Sequence, residues 1–274
     1  MGEKDVEVFA LFGDPVAHSL SPVMHNFAFE EMGLTARYVP FRVVDIGAAI
    51  QGVRGLNIKG VSITIPFKTA VLGYLDEVDE GARRIGAVNT IVNREGRLWG
   101  FNTDWIGLVT ELRQWMEIKG KTFAILGAGG AARAAIFGVM SHGGIPLVLS
   151  RRAEKGKRVA SEFGCRTLPL SEIHDVEADC LINATPVGMV PDAELSPLHG
   201  MHLARFQLVM DVIYNPFKTR LLKDAERAGC LVVPGVGMFV HQGAEQIRLW
   251  TGMEPPRDRM RDTVLKRLQA DHGD

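Results

Sequence analysis

Cysteine is scarce in this chain of 274 residues, with three copies at positions 165, 180 and 230. Their odd number and wide spacing match neither a disulfide framework nor a metal-ligand pattern, so no metal site is expected. Cys180 and Cys230 lie in apolar, strand-like runs, where cysteine behaves as a small buried side chain. This usage is typical of a protein in a reducing cytosol.

Neither sign of charge is in excess, because 31 Lys and Arg residues nearly cancel 32 Asp and Glu residues. That balance leaves no electrostatic case for binding nucleic acid or an anionic membrane. Long hydrophobic runs are also missing: no segment approaches the length of a membrane span, and the N-terminus shows no basic-then-apolar signal region. Repeats and low-complexity segments are absent too. We therefore expect a cytoplasmic protein with neither a nucleic-acid partner nor a membrane partner.

Hydrophobic residues make up 46% of the chain, which is enough for one large or two ordinary domains with proper cores. Strand and helix patterns alternate from residue 6 to a predicted hairpin over 88–101, and a long helix is predicted over 103–118. Helices separate most of five further apolar runs, which predicts a second α/β unit with a doubly wound parallel sheet. These runs are 122–126, 145–149, 180–183, 208–213 and 231–234.

The end of the chain changes character, since two helical patterns, 236–251 and 257–269, follow each other with no strand between them. We expect these helices to fold back onto the first domain. The predicted substrate-binding domain is therefore discontinuous, and the nucleotide-binding domain is inserted into it. The predicted bounds are 1–105 plus 238–274 for the first and 106–237 for the second.

The stretch from 121 to 135 predicts a dinucleotide site. An apolar strand, 123–126, breaks into the turn Gly127-Ala128-Gly129-Gly130, and a helix of small residues begins at Ala131. The first glycine allows a tight turn, and Gly129 lets the backbone approach a pyrophosphate, which then sits on free N–H groups of the helix start. A glycine pattern alone is a weak signal, and the strand before it and the helix after it strengthen the prediction.

The next predicted strand indicates which dinucleotide is bound. It ends in Ser150-Arg151-Arg152, where an NAD site usually places an acidic residue to accept a hydrogen bond from the ribose 2′-hydroxyl. Arginines suit a 2′-phosphate, which they grip with two parallel hydrogen bonds. The alternative is that both arginines merely begin a solvated helix. The local chemistry favours NADP over NAD.

Polar side chains follow several strand ends in the first half of the chain. The hydroxyls of Ser19 and Ser21 lie at a predicted helix start, where they form a candidate binding site for a carboxylate. The alternative is that Ser21 is simply the N-cap of that helix. Lys68 lies just beyond a strand, and Asp104 begins a helix. Taken alone, Lys68 is also explained as a surface amine, and Asp104 as a carboxylate that complements the helix dipole. Together, a lysine and a carboxylate supply the proton donor that a carbonyl–alcohol interconversion needs. His25, near the helix start, is expected to bond local backbone.

Seven motifs in this order resemble those of the shikimate dehydrogenase family: HSLSP, ITIPFK, GAVNT, GFNTD, GAGGAAR, NATPVGM and GVGMFVHQG. The resemblance covers roughly residues 8 to 252. It implies two α/β domains and NADP-dependent reduction of 3-dehydroshikimate to shikimate, on the route to chorismate and the aromatic amino acids. It also implies Lys68 as the catalytic acid and base, with Asp104 as its partner.

The resemblance assigns the remaining site residues by motif. Those implied to bind substrate are Ser19, Ser21, Thr64, Asn89, Tyr214 and Gln242. Those implied to bind NADP are Gly127, Ala128, Gly129, Gly130, Ala131, Ser150, Arg151, Arg152, Thr185, Val212, Gly235 and Met238. Without the family, Gln242 is an ordinary helix residue and Met238 an ordinary core residue.

Two departures from the family pattern bear on cofactor choice: Ser150 replaces a common asparagine, and Arg152 replaces a frequent threonine. Double arginines also occur in relatives that accept quinate or use NAD. The alternatives are therefore a quinate/shikimate dehydrogenase with broader cofactor use, and a non-catalytic NADP-binding regulator. An intact Lys68–Asp104 pair argues against the regulator. Monomer and homodimer are both compatible with the sequence.

Overall fold

A computed structural model describes residues 5–272 of the chain. It divides into two compact units: one holds the chain up to Thr103 and again from Val240 onward, and the other holds Asp104–Phe239. The sequence-based bounds were 105 and 238, so the structural bounds lie two residues away at each crossing. The first unit is discontinuous because the chain leaves it and returns.

The elements of the first unit are β1 (Glu7–Gly13), α1 (Ser21–Glu31), β2 (Ala36–Arg42), α2 (Ile46–Gly55), β3 (Gly60–Ile63), β4 (Glu77–Val78), α3 (Glu80–Ile85), β5 (Thr90–Arg94) and β6 (Arg97–Phe101). The strands form a mixed sheet in the order β2-β1-β3-β5-β6-β4. Strands β1, β2 and β3 are parallel, whereas β5 is antiparallel to both β3 and β6.

The predicted hairpin is confirmed as β5–β6. Its two central residues, Glu95 and Gly96, have positive φ angles of 54° and 86°. Such angles suit the twist of a two-residue hairpin turn, and glycine adopts them without steric cost. Ile91 and Leu98 of this hairpin are fully buried and join Val61 of β3 in the core of the first unit.

The elements of the second unit are α4 (Asp104–Leu112), β7 (Thr122–Leu126), α5 (Gly130–Ser141), β8 (Ile145–Ser150), α6 (Ala153–Phe163), β9 (Arg166–Pro169), β10 (Cys180–Asn183), β11 (Leu208–Asp211), α7 (Arg220–Arg227) and β12 (Leu231–Val233). The strands form a fully parallel sheet in the order β12-β11-β10-β7-β8-β9. The strand order reverses between β7 and β10, as in doubly wound dinucleotide folds. The predicted Rossmann-type sheet is confirmed.

Helix α4 and strand β9 differ from the sequence-based expectation. Helix α4 ends at Leu112 rather than near 118, because Gln114 and Trp115 form tight backbone bonds to carbonyls three residues earlier and Ile118 turns into the core. Strand β9 was not predicted; its short sequence has only one strongly apolar residue, Leu168. It pairs with β8 and sits at the edge of the sheet.

The C-terminal helices are α8 (Val236–Thr251) and α9 (Arg257–His272). From Val240 onward they belong to the first unit, as predicted. Trp250 donates a hydrogen bond from Nε1 to the Ile91 carbonyl over 2.9 Å, and Arg259 pairs with Glu31 of α1. These contacts tie the end of the chain to both the sheet and the first helix. Within residues 5–272, no helix is both long and apolar enough to span a bilayer.

Candidate functional site

One edge of the first sheet carries Ser19, Ser21, Thr64 and Asn89, four of the residues predicted to bind substrate. Strands β1 and β3 are parallel and end at this edge, and β5 runs the other way, with Thr90 at its start opposite Ser62 near the end of β3. The segment after β1 carries Ser19 and Ser21, and the segment after β3 carries Thr64 and Lys68. Ligands bind at such edges in open α/β sheets, because loops of adjacent strands converge there.

The hydroxyls of Ser19 and Ser21 are paired, with 3.2 Å between the two Oγ atoms. Helix α1 starts at Ser21 itself, preceded by Leu20 in a helical conformation, so the predicted N-cap role of Ser21 is wrong. Instead, Ser19 Oγ accepts a hydrogen bond from the Ser21 N–H over 3.2 Å. Two hydroxyls therefore stand together at the positive end of a helix, which suits a carboxylate.

The side chain of His25 supports the start of helix α1. Its Nδ1 donates to the Ser21 carbonyl over 2.9 Å, as expected of a histidine that bonds local backbone, and its ring stacks on Tyr38 at 4.2 Å between centroids. The side chain is fully buried, and burial lowers the pKa of His25 from 6.5 to about 4. The imidazole is therefore neutral in the folded protein near pH 7.

Neutral burial of His25 predicts acid sensitivity of the first unit. The unfolded chain takes up a proton near pH 6.5 and the folded chain only near pH 4, so stability falls as pH drops through this window. The stability advantage of the wild type over His25→Gln should shrink by about 2 kcal/mol between pH 7 and pH 5. Urea unfolding at both pH values measures this. A His25→Gln variant that loses as much stability as the wild type would contradict the assignment.

Lys68 lies two residues beyond Pro66, and its side chain is partly buried. Its backbone carbonyl accepts a hydrogen bond from the Val88 N–H over 2.7 Å. This bond brings the lysine close to Asn89, although 20 residues separate the two in sequence. Thr64 stands between them and the end of β1, where it packs directly against Gly13.

Asn89 is 2% exposed and all of its amide is engaged. Its Oδ1 accepts from the Thr103 N–H over 2.7 Å, and its Nδ2 donates to Thr103 Oγ1 over 2.9 Å and to Gln242 Oε1 over 3.3 Å. The structure thus brings together two predicted substrate residues, Asn89 and Gln242, that are 153 positions apart.

The glycine turn of the second unit fits a pyrophosphate. Gly127 has φ of +115°, and a Cβ there would lie 3.1 Å from the Ala184 carbonyl oxygen, so no other residue fits without strain. At Gly129 a Cβ would meet no protein atom within 4 Å, which leaves open space in front of the start of α5. The first N–H groups of a helix have no intrahelical acceptor and are available to a phosphate. Ala128 completes this turn, and α5 begins at Gly130 and Ala131, one residue earlier than predicted.

The two glycines should therefore respond differently to substitution. Gly127→Ala strains the backbone and is expected to destabilise the second unit by about 1–3 kcal/mol. Gly129→Val, at φ of −97°, is expected to leave stability within about 1 kcal/mol yet weaken NADP binding at least about tenfold, because the side chain fills the open space. Thermal unfolding and calorimetric titration with NADP+ separate these effects. Undiminished NADP+ affinity in Gly129→Val would place the pyrophosphate elsewhere.

The end of β8 presents two exposed guanidinium groups, those of Arg151 and Arg152. Ser150 Oγ donates to the Arg152 carbonyl over 3.1 Å and accepts from its N–H over 3.3 Å, so the serine shapes the turn that carries both arginines. In the described part of the chain, neither arginine is paired with a carboxylate. Glu154 is paired with Lys157 at 3.0 Å instead, which leaves positive charge dominant at this strand end.

A buried carboxylate joins the ends of β10 and β11. Asp211 Oδ1 accepts from Asn183 Nδ2 and from the Ile213 N–H, and Oδ2 accepts from Thr219 Oγ1 over 2.8 Å. Burial raises the pKa of Asp211 to about 6, against the opposing effect of these three donors. The aspartate thereby holds the backbone at 212–214 in place.

The other predicted cofactor residues follow the same carboxyl edge. Thr185 donates from Oγ1 to Asn183 Oδ1 over 2.7 Å, and a Cβ on Gly235 would lie 2.5 Å from the Ile213 carbonyl oxygen. Met238 is buried in the core of this unit and Val212 packs against that core. The cofactor role of these residues stays a prediction.

Asp104 and Tyr214 both belong to the second unit. Asp104 is the first residue of α4 and is 5% exposed. Tyr214 stacks on Phe239 with 4.0 Å between ring centroids. The roles of Asp104 as partner of Lys68, and of Tyr214 at the substrate, stay predictions.

Sequence reasoning assigned no role to several buried polar residues that support the site: Ser62, Thr90, Thr103, Asp211 and Gln246. Only one of them carried a usable signal, since Gln246 follows Gln242 by one helical turn and so shares its helix face. Among residues 5–272, no cluster of three or more His, Cys, Asp or Glu side chains is arranged to hold a metal ion.

The second unit has a doubly wound sheet with a glycine turn, and the first unit has a sheet with a polar edge. Together in one chain, these two units define a two-unit dinucleotide-dependent enzyme. Family models for the shikimate dehydrogenase substrate binding domain and the shikimate 5′-dehydrogenase C-terminal domain match residues 11–91 and 235–265. The chain belongs to the shikimate dehydrogenase family.

Individual relatives agree with this assignment over nearly the whole chain. Shikimate dehydrogenases (NADP(+)) of Pyrococcus abyssi and Geobacillus kaustophilus are each 46% identical to it, and each match covers 96% of this chain and 99% of the relative. A Thermus thermophilus shikimate 5-dehydrogenase solved with NADP(H) and shikimate is 39% identical, has a TM-score of 0.87, and is matched over 95% of this chain and 99% of that one.

Proposed function

We propose that this protein is a shikimate dehydrogenase, which reversibly reduces 3-dehydroshikimate to shikimate with NADPH in the pathway to chorismate and the aromatic amino acids. It is an NADP-dependent oxidoreductase that acts on a CH–OH group. The observation that carries the proposal is the edge of the first sheet, where a hydroxyl pair, a lysine and a fixed amide converge. A small molecule with a carboxylate and several hydroxyls matches this set of groups.

In the first unit, the paired hydroxyls of Ser19 and Ser21 hold the substrate carboxylate at the start of α1. Neutral hydroxyls at a helix N-terminus bind an anion without a neighbouring cation, since the backbone N–H groups supply the positive potential. Thr64, Asn89 and Gln242 contact the substrate hydroxyls. Their hydrogen bonds orient the ring of the substrate.

In the second unit, the turn from Gly127 to Ala131 fits the pyrophosphate of NADP, and Arg151 and Arg152 fit its 2′-phosphate. The open space at Gly129 supports this assignment, as does the excess of positive charge at the end of β8. Thr185 borders the cofactor, and Val212, Gly235 and Met238 line the pocket of its nicotinamide. When bound, NADPH supplies the hydride that reduces the substrate carbonyl.

Lys68 supplies the proton. In the reducing direction its ammonium group donates a proton to the carbonyl oxygen as that oxygen becomes a hydroxyl, and the resulting amine is reprotonated from solvent. In the oxidising direction the neutral amine accepts the hydroxyl proton. Asp104 accepts a hydrogen bond that keeps the lysine directed at the reacting oxygen. Tyr214 lies near the substrate.

Initial rates test the proposal directly. Purified protein should form NADPH from NADP+ when shikimate is added, with much lower rates for quinate and for NAD. Equal rates with quinate or with NAD would instead support a broader quinate/shikimate dehydrogenase. Absence of turnover with either substrate and either cofactor would overturn the proposal.

A further inference from the structure

Five buried side chains of the first unit form a donor chain, in which each member donates a hydrogen bond to the next. Ser62 Oγ donates to Gln246 Oε1 over 2.8 Å, and Gln246 Nε2 donates to Thr90 Oγ1 over 3.0 Å. Thr90 Oγ1 donates to Asn89 Oδ1 over 2.8 Å, and Asn89 Nδ2 donates to Gln242 Oε1 over 3.3 Å. None of the five is more than 9% exposed.

Backbone groups fix the direction of this donor chain at two points. Gln246 Nε2 also donates to the Asn89 carbonyl over 3.2 Å, and a carbonyl can only accept. The Thr103 N–H, which can only donate, bonds Asn89 Oδ1 over 2.7 Å. Both amides are therefore held in one orientation, since turning either would oppose two donors or two acceptors in a buried site.

The fold explains how these residues meet. Ser62 and Thr90 are directly opposite each other on neighbouring antiparallel strands, so their side chains point to the same face of the sheet. Gln242 and Gln246 are four residues apart on α8 and share one helix face. Helix α8, which is distant in sequence, therefore completes a hydrogen-bond network that begins on the strands of the sheet.

We propose that Ser62 and Gln246 are positioning residues that fix the amide of Gln242 with its Nε2 group turned towards the substrate. The inference rests on the proposed function, because it takes Gln242 to be a substrate residue. With Oε1 accepting from Asn89, Gln242 presents a hydrogen-bond donor. The site thus favours an oxygen that accepts a hydrogen bond at this point, whereas a reversed amide would repel a carboxylate oxygen and would accept from a substrate hydroxyl instead of donating to it.

Gln246→Met keeps the length of the side chain but removes its amide, so Thr90 Oγ1 and the Asn89 carbonyl lose a donor and only Thr103 still orients the Asn89 amide. We expect the dissociation constant for shikimate to rise about tenfold, with the dissociation constant for NADP+ unchanged. KM for shikimate should rise in parallel, and kcat should change less. Isothermal titration calorimetry of each ligand and initial rates measure these quantities. Glu245→Gln, one residue earlier on α8, is the matched control and should keep wild-type values.

A double-mutant cycle separates positioning from a purely structural role. If Gln246 acts through Gln242, then Gln242→Met combined with Gln246→Met should bind shikimate as weakly as Gln242→Met alone. Multiplication of the two effects would overturn the proposal, as would unchanged shikimate affinity in Gln246→Met.

Ser62→Ala provides a second, smaller change at the far end of the network. It should weaken shikimate binding about threefold and leave NADP+ binding unchanged. This variant keeps the proposal testable if Gln246→Met fails to fold, and unchanged shikimate affinity in it would then overturn the proposal. Lack of shikimate turnover by the unmodified protein would overturn the proposed function, and this inference with it.

Discussion

Replacing Lys68 with alanine is expected to lower kcat for shikimate oxidation by about 10²–10⁴-fold, the usual contribution of a positioned acid or base. The dissociation constant for NADP+ should stay unchanged, because Lys68 follows β3 in the first unit and the glycine turn follows β7 in the second. Proton transfer is required in the transition state, and solvent replaces a positioned amine poorly. The loss should therefore appear mainly in kcat rather than in cofactor binding.

A second lysine on the same sheet provides the control. Lys59 lies just before β3 and donates from Nζ to Asn57 over 3.3 Å, at the opposite end of the strand from Lys68. Lys59→Ala should retain wild-type kcat and KM. Steady-state rates and calorimetric NADP+ titrations of both variants make the comparison. Full turnover by Lys68→Ala would remove this lysine from the mechanism.

Asp104 should be coupled to Lys68 if the two act as a unit. Asp104→Asn alone should reduce kcat, and adding it to Lys68→Ala should cause little further loss, because residues that act together are strongly non-additive. Independent losses that multiply in the double variant would argue that Asp104 acts through something other than the lysine.

The second large effect concerns cofactor choice. Changing both Arg151 and Arg152 to glutamine should lower kcat/KM for NADP+ by about 10²-fold or more, since a hydrogen bond to a charged group contributes about 1.5–3 kcal/mol. Activity with NAD, which lacks the 2′-phosphate, should change little. The ratio of the two kcat/KM values measures the preference, and raising the salt concentration should weaken NADP+ binding in the wild type more than in the variant.

Arg158 is the matched control for this charge change, because it is also exposed and lies on α6, the helix that follows the two arginines, farther from the strand end. Arg158→Gln should keep the wild-type cofactor ratio. An unaltered ratio in the Arg151, Arg152 double variant would leave the 2′-phosphate to other groups. It would also favour the reading in which these arginines simply begin a solvated helix.

The parts of the fold that could be predicted are those encoded locally. Glu95 and Gly96, which both have a positive φ, form the turn of the β5–β6 hairpin. Gly127, which also has a positive φ, forms the turn after β7. Apolar runs predicted most strands of both sheets. Helix α4 and strand β9 were misjudged because their limits depend on tertiary contacts: Ile118 leaves the helical pattern to enter the core, and β9 is held in place by pairing with β8.

The candidate site divides in the same way. Residues that directly follow strands, such as Lys68 and Arg151, were visible in the sequence because strand ends of parallel sheets carry ligand sites. Supporting residues were not, because a buried serine on β3 and a glutamine on α8 carry no local mark of the 2.8 Å bond between them. The N-cap alternative for Ser21 failed because Leu20 already has a helical conformation, so that the helix begins at Ser21 itself, and the sequence does not show this backbone geometry.

By itself, the sequence determined the order of strands and helices, the glycine turn, the charge at the end of β8 and the family, because each depends on residues close together in the chain. Only the tertiary structure decided the strand order of the sheets and the single orientation of the Asn89 amide. These depend on pairings between residues of different elements, such as Phe123 with Cys180 across two strands and Asn89 with Gln242, which are 153 positions apart, and such pairings leave no periodic trace in a sequence.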